Sequence, residues 1–141
     1  MTEELIDVVD ENDVFVRKAT RKEVRQGSLL HRASKVIILD GEGKFLVQKR
    51  SLNKDIFPGL WELGVGETVK SGDGYETAAM SGLEDEIGVI GVSNIQLKHS
   101  LLFKLRCSSA RNNAHYKVYV LEHHEKILTK SEEADEIKFL S

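Results

Sequence analysis

Gly66-Glu67-Thr68-Val69-Lys70-Ser71-Gly72-Asp73-Gly74, then Tyr75-Glu76-Thr77-Ala78-Ala79-Met80-Ser81-Gly82-Leu83-Glu84-Asp85-Glu86-Ile87, closed by Gly88-Val89, is the stretch that decides the fold. Gly72-Asp73-Gly74 interrupts the chain. Ala78, Ala79, Leu83 and Ile87 then recur near helical spacing, and Gly88 stands where a helix would stop. The reading is a glycine-bounded loop followed by a helix over Tyr75–Ile87, with Glu84-Asp85-Glu86 in its last turn. Carboxylates one helical turn apart share a face, and hard divalent cations take oxygen ligands. An acidic cluster facing a glycine loop is therefore a candidate Mg²⁺ site able to hold a diphosphate. The competing reading is a solvated acidic helix end. Acids at a helix C-terminus are opposed by the macrodipole, which hints at a use other than stability.

Outward from this segment the pattern is mixed. Leu5, Ile6, Val8 and Val9, then Val14-Phe15-Val16, predict a hairpin around Asp10–Asp13. Thr20-Arg21-Lys22-Glu23 reads as a capping box that opens a short helix, with Gly27 as its C-terminal cap. Leu29–Leu39 is extended, and Val36-Ile37-Ile38-Leu39 suits a strand buried on both faces. Asp40–Gly43 is a tight turn. Lys44–Arg50 returns as a strand, with Phe45 and Val47 on one face and Leu46 and Gln48 on the other. Ser51–Gly59 is a loop, and Trp61–Val69 is a strand that bends at its glycines. Downstream, strands are expected at Ile95–Leu105, Tyr116–Leu121 and Ile137–Leu140. A polar loop is expected at Ser108–Ala114, and an acidic turn or single helical turn at Ser131–Asp135. Strands with two or three helices place the chain in the α+β class.

Composition sets the outer limits. The 141 residues suit one domain. Lys and Arg number 20 against 23 Asp and Glu, a formal net charge of −3, so no broad basic field for nucleic acid exists. The single cysteine, Cys107, makes no internal disulfide and reads as a small packed side chain. No apolar run approaches the ~20 residues of a membrane span. Met1–Asp10 lacks a signal peptide's basic and apolar regions. The expectation is a soluble cytoplasmic domain with a small-molecule partner, bound to neither nucleic acid nor membrane. Its oligomeric state is open, with a homodimer as the option to test.

Gly66–Val89 resembles a Nudix box, G-x5-E-x7-R-E-U-x-E-E-x-G-U with U aliphatic. Asp85-Glu86-Ile87-Gly88-Val89 anchors the match, Leu83 takes the aliphatic position and Asp73 the first Glu. The flanks Leu30-His31-Arg32-Ala33, Phe45–Arg50, Lys54-Asp55 and Phe57–Trp61 are similar to the isopentenyl-diphosphate isomerase-like branch of that superfamily. The resemblance implies a Nudix fold, a mixed β-sheet sandwiched between helices (α/β/α). Residues 29–141 would form the Nudix domain, lacking a C-terminal helix that relatives carry. The hairpin and short helix of residues 1–28 would belong to the same domain. The implied reaction is hydrolysis of a diphosphate linkage in a nucleoside diphosphate derivative, assisted by Mg²⁺ or Mn²⁺.

By the same resemblance the metal is held by the Gly66 carbonyl, Asp85, Glu86 and Glu133, with Glu132 and Glu136 as alternatives to Glu133. Glu86 and Glu133 are the catalytic candidates, Glu133 orienting water. Lys49, Arg50 and Lys54 would meet the substrate phosphates, as guanidinium and ammonium groups suit. The chain also departs from the pattern. Ser81-Gly82 stands where the box has Arg-Glu, so a metal-ligating carboxylate is absent at 82 and Asp73 lacks its usual ion-pair partner. Glu67 stands where the box has Gly, at a cost in strain if that position needs φ > 0. One hypothesis is that Glu67 partly replaces the carboxylate missing at 82; the other is that it is simply solvated. A slow hydrolase and a catalytically inactive domain that binds a nucleotide or diphosphate are both open, with a ligand-free interaction module behind them. Isomerase activity is not expected, because Trp61–Gly66 contains no cysteine. His31 is expected to be a structural hydrogen-bonding residue. His115, His123 and His124 read as surface or strand-edge residues, and Trp61 as core packing.

Overall fold

The structure, a computed structural model, describes residues 4–52, 59–92, 95–106, 111–124 and 134–141. It begins with the expected hairpin, β1 (Leu5–Val9) antiparallel to β2 (Phe15–Thr20), and helix α1 (Arg21–Gly27). The capping box forms in both directions: the Thr20 hydroxyl accepts from the Glu23 N–H at 3.2 Å, and the Glu23 carboxylate accepts from the Thr20 N–H at 2.9 Å. The left-handed cap is Ser28 (φ 51°), not Gly27, which is still helical. Gly27 is instead closely packed, since a Cβ there would lie 3.1 Å from Leu29 Cδ2 and would shift that side chain slightly.

The second sheet contains β3 (His31–Leu39), β4 (Phe45–Arg50), β5 (Trp61–Leu63), β6 (Val65–Thr68), β7 (Gln96–Arg106), β8 (Arg111–Glu122) and β9 (Ala134–Leu140). Its strand order is β5-β4-β3-β8-β7, with β6 added on β3 and β9 on β4. The β3–β8 pair is parallel and the others are antiparallel, so the sheet is mixed. Helix α2 (Tyr75–Ile87) packs on β3 and β6. The class is α+β as expected. Among the described residues, no helix is long and apolar enough to cross a membrane.

The apolar spacing of α2 does what the sequence indicates. Ala79, Leu83 and Ile87 are buried against Val36, Ile38, Leu46, Val65 and Leu121. Each large side chain so buried is worth about 1.5–3 kcal/mol. Gly88 ends the helix at φ 70°.

Three expectations change. The bending strand at Trp61–Val69 is two short strands, because Gly64 (φ 67°) passes so close to β3 that a Cβ would sit 2.0 Å from the Val36 carbonyl oxygen. The polar segment expected to be a loop at 108–114 is strand from Arg111 onward, paired with both β7 and, from Ala114, β3. Ala134 and Asp135 open β9 rather than closing a turn.

Candidate functional site

The acidic run at the end of α2 splits by face. Glu84 and Asp85 are exposed, whereas Glu86 is only 5% exposed, on the side that also buries Leu83. A buried carboxylate needs hydrogen bonds to be tolerated. The buried Gln48 of β4 supplies one, its Nε2 donating to Glu86 Oε1 at 3.0 Å and to the Gly64 carbonyl at 3.0 Å. One amide thus ties the helix to the β5–β6 corner. In the sequence Gln48 is only an alternating strand residue; nothing local signals this contact, which needs strand and helix together.

One turn before Glu86 stands Gly82, buried against β6. A Cβ at 82 would lie 3.0 Å from Val65 Cγ1, 3.2 Å from Glu67 Cβ and 3.6 Å from Glu86 Oε2. Glu67 pairs with Ser34, whose hydroxyl donates to the Tyr75 carbonyl at 2.6 Å, so both face α2. Glu67 has ordinary strand backbone and does not share the positive φ of Asp13 and Ser28, so the strain expected of a side chain at this position does not arise.

Gly66 points the opposite way, in register with Lys35. A Cβ on Gly66 would lie 3.3 Å from Glu62 Oε2 and 3.8 Å from Lys35 Nζ. Lys35 Nζ is 3.1 Å from Glu62 Oε2, and Arg50 Nη1 is 3.8 Å from the same oxygen. Arg50, expected on the phosphate side, therefore shares its corner with Lys35, a cation that sequence reasoning missed. The signal that would have found Lys35 is the β3–β6 register, which only the folded sheet reveals.

Lys49 is half-buried, opposite Trp61 on one side and Glu136 on the other. Glu136, an alternative acid, is exposed on β9, and Asp73 is exposed in its turn. Lys54, Glu132, Glu133 and Cys107 lie outside the described residues. Trp61 is not core: it is 43% exposed, with Lys138 Nζ 4.4 Å from its ring centroid.

The histidines stay out of this site. His31 is buried, its Nδ1 is 2.9 Å from the Leu29 carbonyl, and burial pushes its pKa below the usual histidine value. His115 Nε2 lies 2.9 Å from the Asp10 carbonyl, and His124 sits 3.8 Å from Glu122. Among the described residues, no three acidic, histidine or cysteine side chains are already gathered for a metal. The space at position 82 is bordered by the Val65 methyl, the Glu67 stem and Glu86 Oε2, and the two carboxylate side chains are hard oxygen donors, which suit Mg²⁺ or Mn²⁺ in kind.

The N-terminus of α2 is held from the hairpin. The Tyr75 hydroxyl donates to Asp13 Oδ2 at 2.7 Å, and Arg32 Nε donates to Asp13 Oδ1 at 2.7 Å. Burial, and then the Asp13 carboxylate, push the Tyr75 pKa up, so the phenol stays a donor. Lys117 Nζ lies 4.6 Å from the Tyr75 ring centroid.

Comparison with known proteins gives a consistent picture. The NUDIX domain model matches residues 29–141. An uncharacterized Nudix hydrolase of Yersinia pestis, YPO2781, is 38% identical over 89 residues, which is 63% of this chain and 49% of that protein. The chain thus spans about half the length of the curated relative it matches. Among solved structures, DR0079 of Deinococcus radiodurans superposes with a TM-score of 0.80 at 21% identity, covering 98% of this chain and 83% of that one. The NUDIX domain of Shewanella oneidensis NrtR, solved with ADP ribose, superposes with a TM-score of 0.60 at 15% identity over 79% of this chain and 71% of that one. With its mixed sheet, its loop-helix segment and a family match over residues 29–141, the chain belongs to the Nudix family.

Proposed function

We propose that the chain hydrolyses a diphosphate linkage in a nucleoside diphosphate derivative with the help of Mg²⁺ or Mn²⁺, at a rate reduced by the absence of Arg-Glu at Ser81-Gly82. The observation that carries this reading is Glu86: a carboxylate turned inward and held by Gln48 at 3.0 Å, beside the Gly64–Glu67 corner. Glu86, Asp85, Glu133 and the Gly66 carbonyl would hold the cation. When bound, the cation neutralises charge on the diphosphate. Glu133 would orient the attacking water, and Lys49, Arg50 and Lys54 would hold the phosphates. The resemblance to the isopentenyl-diphosphate isomerase-like branch is carried by the flanking motifs alone. Isomerase chemistry is not proposed, since Trp61–Gly66 offers no cysteine.

A second reading is an inactive domain that binds the same class of ligand. It is favoured by Gly82, which contributes no carboxylate. Loss of a group that orients or activates water costs tenfold in rate for each 1.36 kcal/mol.

The test is hydrolysis of a panel of nucleoside diphosphate derivatives, beginning with ADP ribose, under Mg²⁺ and Mn²⁺. Slow turnover that Glu86→Gln abolishes is the expected result. A ligand that raises the melting temperature of the native chain without being turned over selects the binding reading. Neither turnover nor stabilisation by any member of the panel overturns both.

A further inference from the structure

We infer that Glu67 and Gly82 are one exchanged pair: Glu67 brings to the inner face of α2, from strand β6, the carboxylate that position 82 does not carry, and it ligates the divalent cation beside Glu86. The inference rests on the metal site proposed above and assigns it a ligand.

The geometry is specific. The Cβ that Gly82 lacks would fall 3.2 Å from Glu67 Cβ and 3.6 Å from Glu86 Oε2, so both glutamates border the same small volume. Glu86 enters from the helix and Glu67 from the strand. The strand is pinned in register by Ala33↔Thr68, Ser34↔Glu67, Lys35↔Gly66 and Val36↔Val65, which fixes the face that Glu67 presents. Extended backbone at 67 means that its side chain stands there without conformational penalty. Gly82 in turn has a steric reason for being glycine: any side chain would meet the Glu67 stem and Val65 Cγ1 at 3.0 Å. A side chain at 67 and a glycine at 82 therefore fit each other, and a glutamate restored at 82 alone must push the Glu67 stem and Val65 aside. Oxygens on two rigid elements, with the Gly66 carbonyl next in sequence, form a donor set for a hard cation.

The test is Mn²⁺ binding to the full chain, followed by calorimetry and by the Mn²⁺ electron paramagnetic resonance signal. Glu67→Gln keeps the packing and removes the charge. It should weaken Mn²⁺ binding by about tenfold or more, no less than loss of an outer-shell partner does, and the loss should exceed any change in the affinity of Glu76→Gln, an exposed acid at the other end of α2. Glu86→Gln should weaken it as well. If Glu67→Gln binds like the native chain while Glu86→Gln does not, the inference falls and the metal site of the proposed function stands. If the native chain binds no Mn²⁺, both fall. Melting temperatures of Glu67→Gly, Gly82→Glu and the double variant test the pairing independently. The double variant should melt above Gly82→Glu alone, and additive effects overturn the exchange.

Discussion

Glycine inside a helix costs about 1 kcal/mol relative to alanine, and Gly82 occupies the middle of α2. Alanine should nevertheless be worse here. Its Cβ would press on Val65 Cγ1 at 3.0 Å and Glu67 Cβ at 3.2 Å, both on a strand fixed by its ladder to β3. Overpacking of this kind costs about 1–3 kcal/mol, which offsets the gain in helix propensity. Gly82→Ala is therefore expected to lower the melting temperature, by about 2–4 °C for each 1 kcal/mol lost in a chain of this size, and to lower it less when Glu67→Gly is also present, since the Val65 contact then remains alone. Differential scanning calorimetry decides the sign. His31 gives a pH dependence. Its folded pKa is lowered, first by burial, so the unfolded chain takes up the proton before the folded one does. Its contribution is complete above the unfolded value of 6.5 and is lost as pH falls from there through the folded value. Melting followed between pH 7.5 and 5 should show a smaller loss of stability in His31→Gln than in the native chain. Equal slopes would remove His31 as the cause.

At the scale of elements, α2 depends on the hairpin that precedes it. Asp13, at the hairpin turn with φ 64°, accepts from both Arg32 and Tyr75, the first residue of α2. Asp13→Ala removes both partners. With side chains about a quarter exposed, the loss should be about 1–2 kcal/mol rather than the full value of buried charged hydrogen bonds. Asp13→Asn should fall between, since asparagine tolerates the left-handed turn and still accepts from Tyr75. Urea denaturation midpoints should follow that order. Elements of this kind are unevenly legible in the sequence. The ends of α2 were legible because apolar spacing and Gly88 are local signals, and so was the capping box at Thr20 and Glu23. The break at Gly64 was not, because its cause is the Val36 carbonyl on another strand. Arg111–Ala114 is polar, yet it is strand because ladder pairing to β7 outweighs composition. Of the candidate site, Glu86 was legible from the box, whereas Gln48 and Lys35 join it only once strands and helix assemble.

For the whole molecule, the family match begins at residue 29, but the fold does not treat the preceding residues as an appendage. Ile6, Val8, Ala19 and Val24 make a second small core with Leu29 against it. The hairpin joins the rest of the chain by backbone bonds, Val9 N–H to the Leu30 carbonyl at 2.9 Å and Ser71 N–H to the Leu5 carbonyl at 2.8 Å, and by the Ile6↔Lys70 bridge. Two of these contacts fall on the loop between β6 and α2, the segment that carries the candidate chemistry. Removing residues 1–28 strips that loop of its backbone partners in the hairpin and leaves Arg32 and Tyr75 without Asp13. A chain of residues 29–141 should then melt well below the full chain, with amide exchange accelerated at Lys70–Tyr75 and less so in the β3–β8 ladder, where parallel pairing over nine residue pairs is untouched. Equal melting and equal protection at Lys70–Tyr75 would make the hairpin independent of the loop before α2. Little change of exchange in β3–β8 together with faster exchange in the loop would place its role at the loop, where Glu67 and Tyr75 bracket the turn.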